Sequence, residues 1–159
     1  DEALRERLED WLPPLLAGKR RLSDIDSAAL RQALDHLVGY EGKRRLDQLA
    51  PAEFVSPAGS RHLIDYAAPG GPMVEVRAQA LFGLSEHPTL ANGRVPLTLA
   101  ITSPAGRPIQ TSRDLPSLWA GSWRDVAKEM RGRYPRHPWP DDPAAALPTL
   151  RTKRAQGRA

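Results

Sequence analysis

Proline governs what this chain can fold into, and it is most concentrated in residues 131–143, RGRYPRHPWPDDP. This segment holds four prolines, three arginines, a tyrosine and a tryptophan. Because proline fixes φ and lacks a backbone donor, the segment can form neither a helix nor a central strand. Its side chains leave two interpretations open: the segment ties the chain onto its own fold, or it grips a partner such as nucleic acid.

The composition fits one ordinary domain, or a domain with a small helical appendage. The chain has 159 residues, and its 40% hydrophobic content is sufficient for a buried core. The sequence has no apolar run of about 18 residues, so it predicts no membrane-spanning helix. Without cysteine it can form no disulfide, thiolate metal site or cysteine nucleophile. The acidic, amphipathic stretch DEALRERLED differs from a signal peptide, and we expect a cytoplasmic protein.

Positive charge is concentrated at the C-terminal end. The net charge is +4, yet residues 124–159 contain nine basic and four acidic side chains, so the preceding 123 residues carry a net charge of −1. Such asymmetry predicts phosphate-rich or acidic partners and says nothing about the fold.

Residues 1–50 are predicted to form three amphipathic helices with short links. Leucines at helical spacing mark the first helix over residues 2–16, which Pro13 and Pro14 must end or break. The second helix starts near Asp24 or Asp26 and ends at Gly39. A third, shorter helix ends before Pro51.

The period of the sequence changes after Pro51. Residues 54–55 and 61–67 are predicted strands, the latter followed by a turn at 68–72 and a strand from Met73 to Val76. Residues 77–82 fit either a continued strand or a helical turn, and we favour strand followed by helix.

The clearest hairpin runs from Val95 to Asp114, because apolar residues alternate from Val95 to Ile101 and Ser103–Gly106 supplies a turn. A last helix is predicted over residues 117–132. The fold class is therefore α+β: a helical lead-in, then a small mostly antiparallel sheet packed against a C-terminal helix. An oligonucleotide-binding barrel is the alternative, but it needs five strands.

These elements predict three regions. Residues 1–50 form a helical lead-in, residues 51–143 an α+β module, and residues 144–159 a basic, flexible tail.

No catalytic constellation is present in the sequence. It contains no GxxxxGK[ST], GxGxxG, HExxH or GxSxG motif. The four histidines are scattered, without a partner at metal-ligand spacing. We therefore predict no catalytic residue, no metal site and no cofactor for this chain.

Arginines interleaved with aromatic residues are typical of nucleic-acid surfaces, where guanidinium groups contact phosphates and aromatic rings stack on unpaired bases. Trp119 and Trp123 lie four apart on an apolar helix face, so we expect them in the core. Tyr134 and Trp139 fit stacking or a strap equally well. The candidate phosphate contacts are Arg113, Lys128, Arg131, Arg133, Arg136, Arg151, Lys153 and Arg154.

Ordered motifs along nearly the whole chain resemble the C-terminal region of the HrpB family of bacterial DEAH-box ATP-dependent helicases. The lead-in supplies residues 10–12 (DWL), 16–18 (LAG) and 44–51 (RRLDQLAP). The module supplies residues 59–61, 64–66, 76–83, 93–97, 103–108, 111–115, 119–120 and 128–143.

The resemblance implies that this chain is a fragment of a longer helicase. Two RecA-like domains with a Walker-type loop and a DEAH box would lie upstream, and only those domains would need ATP and Mg²⁺. The chain itself would be a non-catalytic accessory module that binds nucleic acid, with single-stranded RNA favoured and DNA possible, and contacts the upstream domains in cis. The alternative is a structural module that docks on the helicase core or another protein.

Overall fold

The computed structural model describes residues 2–152. The chain divides into two compact units, with the boundary between Gln48 and Leu49. Within the described range no helix is both long and apolar enough to cross a membrane.

The first unit is helical. Its elements are α1 (Glu2–Glu6), α2 (Leu8–Trp11), α3 (Pro13–Leu16), a 3-10 turn (Leu22–Asp24) and α4 (Ser27–Leu49). Pro13 and Pro14 occupy the first two positions of α3. A missing N–H costs nothing there, since the first turn of a helix has no intrahelical acceptor for its donors. The two prolines thus divide the predicted first helix, as expected.

Gly39 interrupts α4. Its φ of 69° and ψ of 172° lie outside the helical region and favour glycine, which has no Cβ to clash. The second and third predicted helices therefore adjoin at Gly39 without a linker. None of the helices α1–α4 contains a fully buried side chain.

The described part of the second unit, residues 49–152, contains seven short strands in three sheets. The strands are β1 (Glu53–Val55), β2 (Arg61–Leu63), β3 (Met73–Arg77), β4 (Thr89–Leu90), β5 (Val95–Pro96), β6 (Thr98–Thr102) and β7 (Pro108–Ser112). β1 pairs with β2 and β4 with β5, both antiparallel, while the central sheet has the order β3-β6-β7. A 3-10 turn (Ala78–Ala80) follows β3.

The central sheet combines a predicted and an unpredicted pairing. β6 and β7 form the expected antiparallel hairpin. β3, however, runs parallel to β6, in register from Met73 opposite Thr98 to Arg77 opposite Thr102. The α+β class is confirmed. The parallel pair brings the carboxyl ends of β3 and β6 to the same edge of the sheet.

The last predicted helix, 117–132, is two helices: α5 (Leu115–Ala120) and α6 (Trp123–Arg133). The single-helix prediction fails at Gly121, whose φ of −101° and ψ of −103° are not helical. Two hydrogen bonds from backbone N–H groups fix the start of α5. Asp114 Oδ1 accepts a hydrogen bond from the Ser117 N–H at 3.0 Å, and His87 Nδ1 accepts one from the Leu115 N–H at 3.2 Å.

The core lies between the central sheet and α5–α6. Phe82, Trp119 and Trp123 meet edge to face, with ring centroids 4.9–6.4 Å apart. Around them lie buried aliphatic side chains from β3, β6, α5 and α6, including Val74, Val76, Leu99, Ile101, Leu115, Leu118 and Met130.

Residues 144–152, the first part of the predicted flexible tail, lie against this unit. Thr149 is 8% exposed, and its N–H donates to the Gln79 carbonyl at 3.0 Å. A backbone hydrogen bond to a buried residue holds this stretch, which the polar composition of the tail did not indicate. The rest of the tail prediction concerns residues 153–159, which lie outside the described range.

Candidate nucleic-acid interface

Residues 134–143, which we call the strap, leave the end of α6 and fold back over the core. Trp139 is 4% exposed and lies 6.0 Å from Trp123, centroid to centroid. The Trp139 Nε1–H donates to the Tyr134 carbonyl at 3.1 Å. Burial of a tryptophan ring with its one polar atom satisfied makes this residue the anchor of the strap.

Three proline carbonyls fasten the strap to the core. Although proline has no N–H, its carbonyl remains an acceptor. Gln79 Nε2 donates to Pro138 O at 3.4 Å, Trp123 Nε1 to Pro140 O at 2.8 Å and the Gly83 N–H to Pro143 O at 2.9 Å. Tyr134 adds a hydroxyl–hydroxyl bond to Ser103 at 3.2 Å. The backbone of the strap is therefore held on the protein.

Arg131 belongs to this fastening. Its Nε and Nη2 atoms donate to the Trp139 carbonyl at 2.9 and 2.7 Å, and Nη2 also contacts the Asp141 carboxylate. The hydrogen bond from Arg131, reinforced by its charge, lowers the pKa of Asp141 below its usual value. A planar guanidinium suits such a fork of acceptors. Arg131 was a candidate phosphate contact, but its donors are engaged within the protein.

Arg133 is also paired, more weakly. It contacts Glu129 one helical turn earlier at 3.0 Å, with both side chains more than half exposed. Pairs of this kind contribute little and can exchange for a phosphate. Residues 124–142 contain five basic and four acidic side chains, so α6 and the strap are close to neutral. The C-terminal charge excess is not concentrated on α6.

The remaining predicted contacts lie on different elements of the second unit. Arg113, Lys128, Arg136 and Arg151 are exposed, and within the described part of the chain none is in an ion pair. Arg113 lies beside the start of α5. Its charge adds to burial, the main cause, in lowering the pKa of His87. Lys153 and Arg154 lie outside the described residues.

The predicted aromatic residues are turned inward. Trp119 and Trp123 are 7% and 1% exposed, and the Trp119 Nε1–H donates to the Leu84 carbonyl at 2.9 Å. Tyr134 is partly buried against the core. The tryptophans of this unit therefore offer no free face on which a base could stack.

Sequence reasoning missed the acceptors that organise the strap. Asp141, the partner of Arg131, directly follows Trp139 and Pro140 in the sequence. The sequence therefore did show an acceptor for an arginine within the same segment. Gln79 lies 59 residues before the proline whose carbonyl it reaches, and nothing local in the sequence could indicate that contact.

A chain of hydroxyls ends at His62. Ser56 Oγ lies 2.7 Å from Ser60 Oγ, which lies 2.8 Å from His62 Nε2. A serine beside a histidine is one element of a nucleophilic site. Within residues 2–152, however, no side chain hydrogen bonds to His62 Nδ1 to orient the ring, and no three acidic or histidine side chains group as metal ligands. The arrangement closes the turn between β1 and β2.

Comparison with known proteins identifies the family of the chain. A family described as ATP-dependent helicase C-terminal, HrpB_C, matches residues 11–143. The chain belongs to this family. The HrpB resemblance carried by the sequence motifs is thereby confirmed.

The relatives of this C-terminal HrpB domain are much longer proteins. The ATP-dependent RNA helicase HrpB of Escherichia coli K12 is 47% identical over 154 residues, which are 97% of this chain and 19% of that protein. A crystal structure of the E. coli DExH-box NTPase HrpB matches with a TM-score of 0.83 at 47% identity, over 96% of this chain and 19% of the other. A second, of E. coli DEAH/RHA helicase HrpB, gives 0.66 at 43% identity over 87% and 18%. The chain thus spans about a fifth of the relatives it matches.

Proposed function

We propose that this HrpB C-terminal domain is a non-catalytic accessory module of an ATP-dependent RNA helicase and contributes nucleic-acid contacts to the motor. The observation that carries this proposal is that four of the basic side chains, Arg113, Lys128, Arg136 and Arg151, are exposed and make no ion pair within residues 2–152. The 47% identity to an ATP-dependent RNA helicase supplies the context.

The contacts would be to phosphates. The tryptophans of the second unit are buried, while the exposed side chains are cationic, so recognition through base stacking is unfavourable and backbone contact is favourable. Phosphate contact positions a strand without reading its sequence. A module of this kind would hold a strand beside the motor independently of base composition.

Fluorescence anisotropy with labelled single-stranded RNA tests the proposal. We expect affinity in the micromolar range at low salt, falling steeply as salt rises, because binding releases counterions. Single-stranded DNA of the same sequence measures any preference for the 2′-hydroxyl. Absence of binding at low salt would contradict the proposal, and ATP hydrolysis by the purified chain would contradict the non-catalytic role.

A second candidate, docking on the helicase core or on another protein, is favoured by an apolar groove. The groove, of about 740 Å³, lies along the strap and residues 146–151 and is lined by Phe82, Pro138, Pro140 and Leu147, among others. Leu147 is 83% exposed, which is unusual for a large aliphatic side chain. Leu147→Asp should abolish a salt-insensitive co-migration with the rest of the helicase. Leu63→Asp, at another exposed leucine, is the matched control.

A further inference from the structure

The parallel pairing of β3 and β6 assembles a basic cluster that the sequence does not display. Arg77 ends β3 and lies opposite Thr102, the last residue of β6. Ser103 follows, and its N–H donates to the Arg107 carbonyl at 2.8 Å, while its Oγ accepts from the Arg107 N–H at 3.1 Å. Two arginines 30 positions apart in the sequence therefore flank the adjacent residues Thr102 and Ser103 at the end of β6.

The strap adds a third arginine to the same place. Ser103 Oγ is bonded to the Tyr134 hydroxyl, and the Tyr134 carbonyl accepts from the His137 N–H at 3.1 Å. Arg136 lies within this turn of the strap. Arg77 is close enough to His137 for its charge to act on the imidazole, since burial first and Arg77 second lower the pKa of His137.

All three arginine side chains are exposed and uncommitted. Within the described part of the chain, Arg77, Arg107 and Arg136 make no side-chain hydrogen bond and no ion pair. Their backbones are held by the strand register, the Ser103 turn and the strap. The backbone of the cluster is thus held in place, and its three guanidinium groups are free within the described residues. Arg131 and Arg133 on α6, in contrast, are already engaged.

The acidic residue beside Arg77 leaves this cluster positive. It is Glu75, which shares the exposed face of β3 with Arg77. Guanidinium groups bind phosphate oxygens through paired donors and stay charged at all relevant pH values. A surface with three such groups favours a chain of phosphates over a single carboxylate.

We propose that Arg77, Arg107 and Arg136 form the phosphate-binding surface for single-stranded RNA in this domain. The assignment rests on the proposed function and deepens it. It adds Arg77 and Arg107, at the carboxyl-end edge of the central sheet, to Arg136, and both come from the part of the sequence whose net charge is negative.

The test compares two triple variants that each lower the net charge by three. One carries Arg77→Gln, Arg107→Gln and Arg136→Gln, and the other carries Arg61→Gln, Arg94→Gln and Arg124→Gln, at exposed basic side chains that belong to neither set of candidate contacts. Both are titrated against fluorescein-labelled oligouridylate in anisotropy measurements at about 50 to 200 mM salt. Urea unfolding of each variant verifies the fold, which the exposed positions should leave intact.

We expect the first variant to bind at least about tenfold more weakly at low salt and its salt slope to fall by about 2, since each phosphate contact on a single strand contributes about 0.7. The second variant should stay within about threefold of the parent. Equal losses in both variants, or a loss in the second alone, would overturn the assignment while leaving the proposed function standing.

Two further outcomes separate the proposals. If the parent chain itself does not bind oligouridylate, the proposed function fails and the assignment fails with it. The single substitution Arg107→Glu, in an exposed turn, gives an independent reading, because charge reversal should weaken binding several-fold without the other two changes. Unchanged affinity in that variant would count against the cluster.

Discussion

The aromatic and the cationic residues of 131–143 share thirteen positions but have different surroundings. Trp139 is 4% exposed, and its indole N–H is satisfied within the protein. The three arginines differ in their partners. Arg131 is bound to the strap and Arg133 to a neighbouring glutamate, whereas Arg136 is free within the described part of the chain. A single stretch of sequence thus combines the fastening of the strap with one exposed cation.

Composition alone therefore does not show which residues of a basic, aromatic segment contact a partner. The feature that decides is the number of internal acceptors within reach. Arg131 finds a carbonyl and a carboxylate, whereas Arg136 projects from a turn of the strap without either. Two results would contradict this distinction between the residues of the segment. One is an aromatic substitution that leaves the stability unchanged, and the other is an equal effect of substituting each of the three arginines.

Trp139→Ala should give the largest effect. The change removes a buried indole next to Trp123 and one of the two donors to the Tyr134 carbonyl, so we expect the free energy of unfolding to fall by about 3–5 kcal/mol. Urea unfolding followed by far-UV circular dichroism measures it, independently of the lost tryptophan fluorescence.

Trp139→Phe is the matched control for that change. It keeps an aromatic ring in the cavity but loses the indole donor, and should cost about 1–2 kcal/mol. If Trp139→Ala were as stable as the parent chain, the strap would not fasten the fold, and the buried position of the ring would need another explanation.

Some features of the fold could be predicted from the sequence and others could not. Local signals, such as the glycine at position 39 and the turn at 103–106, gave the helix end and the hairpin correctly. The parallel pairing of β3 with β6 and the reach of Gln79 to Pro138 join residues far apart in the chain. No local period encodes such contacts, so the basic cluster at Arg77 and Arg107 could not be predicted either.

Arg131→Ala should rank second. It leaves the Trp139 carbonyl and Asp141 without their donor, and we expect a loss of about 1–2 kcal/mol, reduced from the value for a fully buried charged bond because the guanidinium is 44% exposed. Arg131→Lys should recover only part of it, since an ammonium cannot reproduce the fork.

Arg133→Ala is the comparison for Arg131→Ala in the same unfolding assay. Its pair with Glu129 is exposed, so the expected cost stays below about 0.5 kcal/mol. Equal costs for the two arginines would contradict the distinction between a fastening residue and a surface residue.

Tyr134→Phe should cost about 1 kcal/mol. The change removes only the hydroxyl that meets Ser103 Oγ at 3.2 Å, while the ring keeps its contact with the core. The same urea assay measures the loss. Ser112→Ala, which removes a hydroxyl bonded to the Asp114 backbone at an exposed site, is the control for deleting a hydroxyl bond outside the strap.

We expect the smallest loss of stability from substitution of Asp141, and this loss, unlike the others, should depend on pH. Because Arg131 lowers the pKa of Asp141 in the folded chain, the folded state binds fewer protons than the unfolded state as pH falls past the usual value of 3.8. The contribution of this carboxylate is therefore fully present well above pH 3.8 and is lost as pH falls through the lowered pKa.

Asp141→Asn should consequently be slightly less stable than the parent chain near neutral pH, and the difference should shrink as unfolding is measured in steps towards pH 3. In an Arg131→Ala background the same substitution should make almost no difference at any pH, since the partner that lowers the pKa is gone. A pH-dependent difference that survived in that background would mean that another group, such as Arg124, whose charge also acts on Asp141, stabilises the carboxylate. The C-terminal half of the strap would then be held by Arg124, near the start of α6, and not by Arg131.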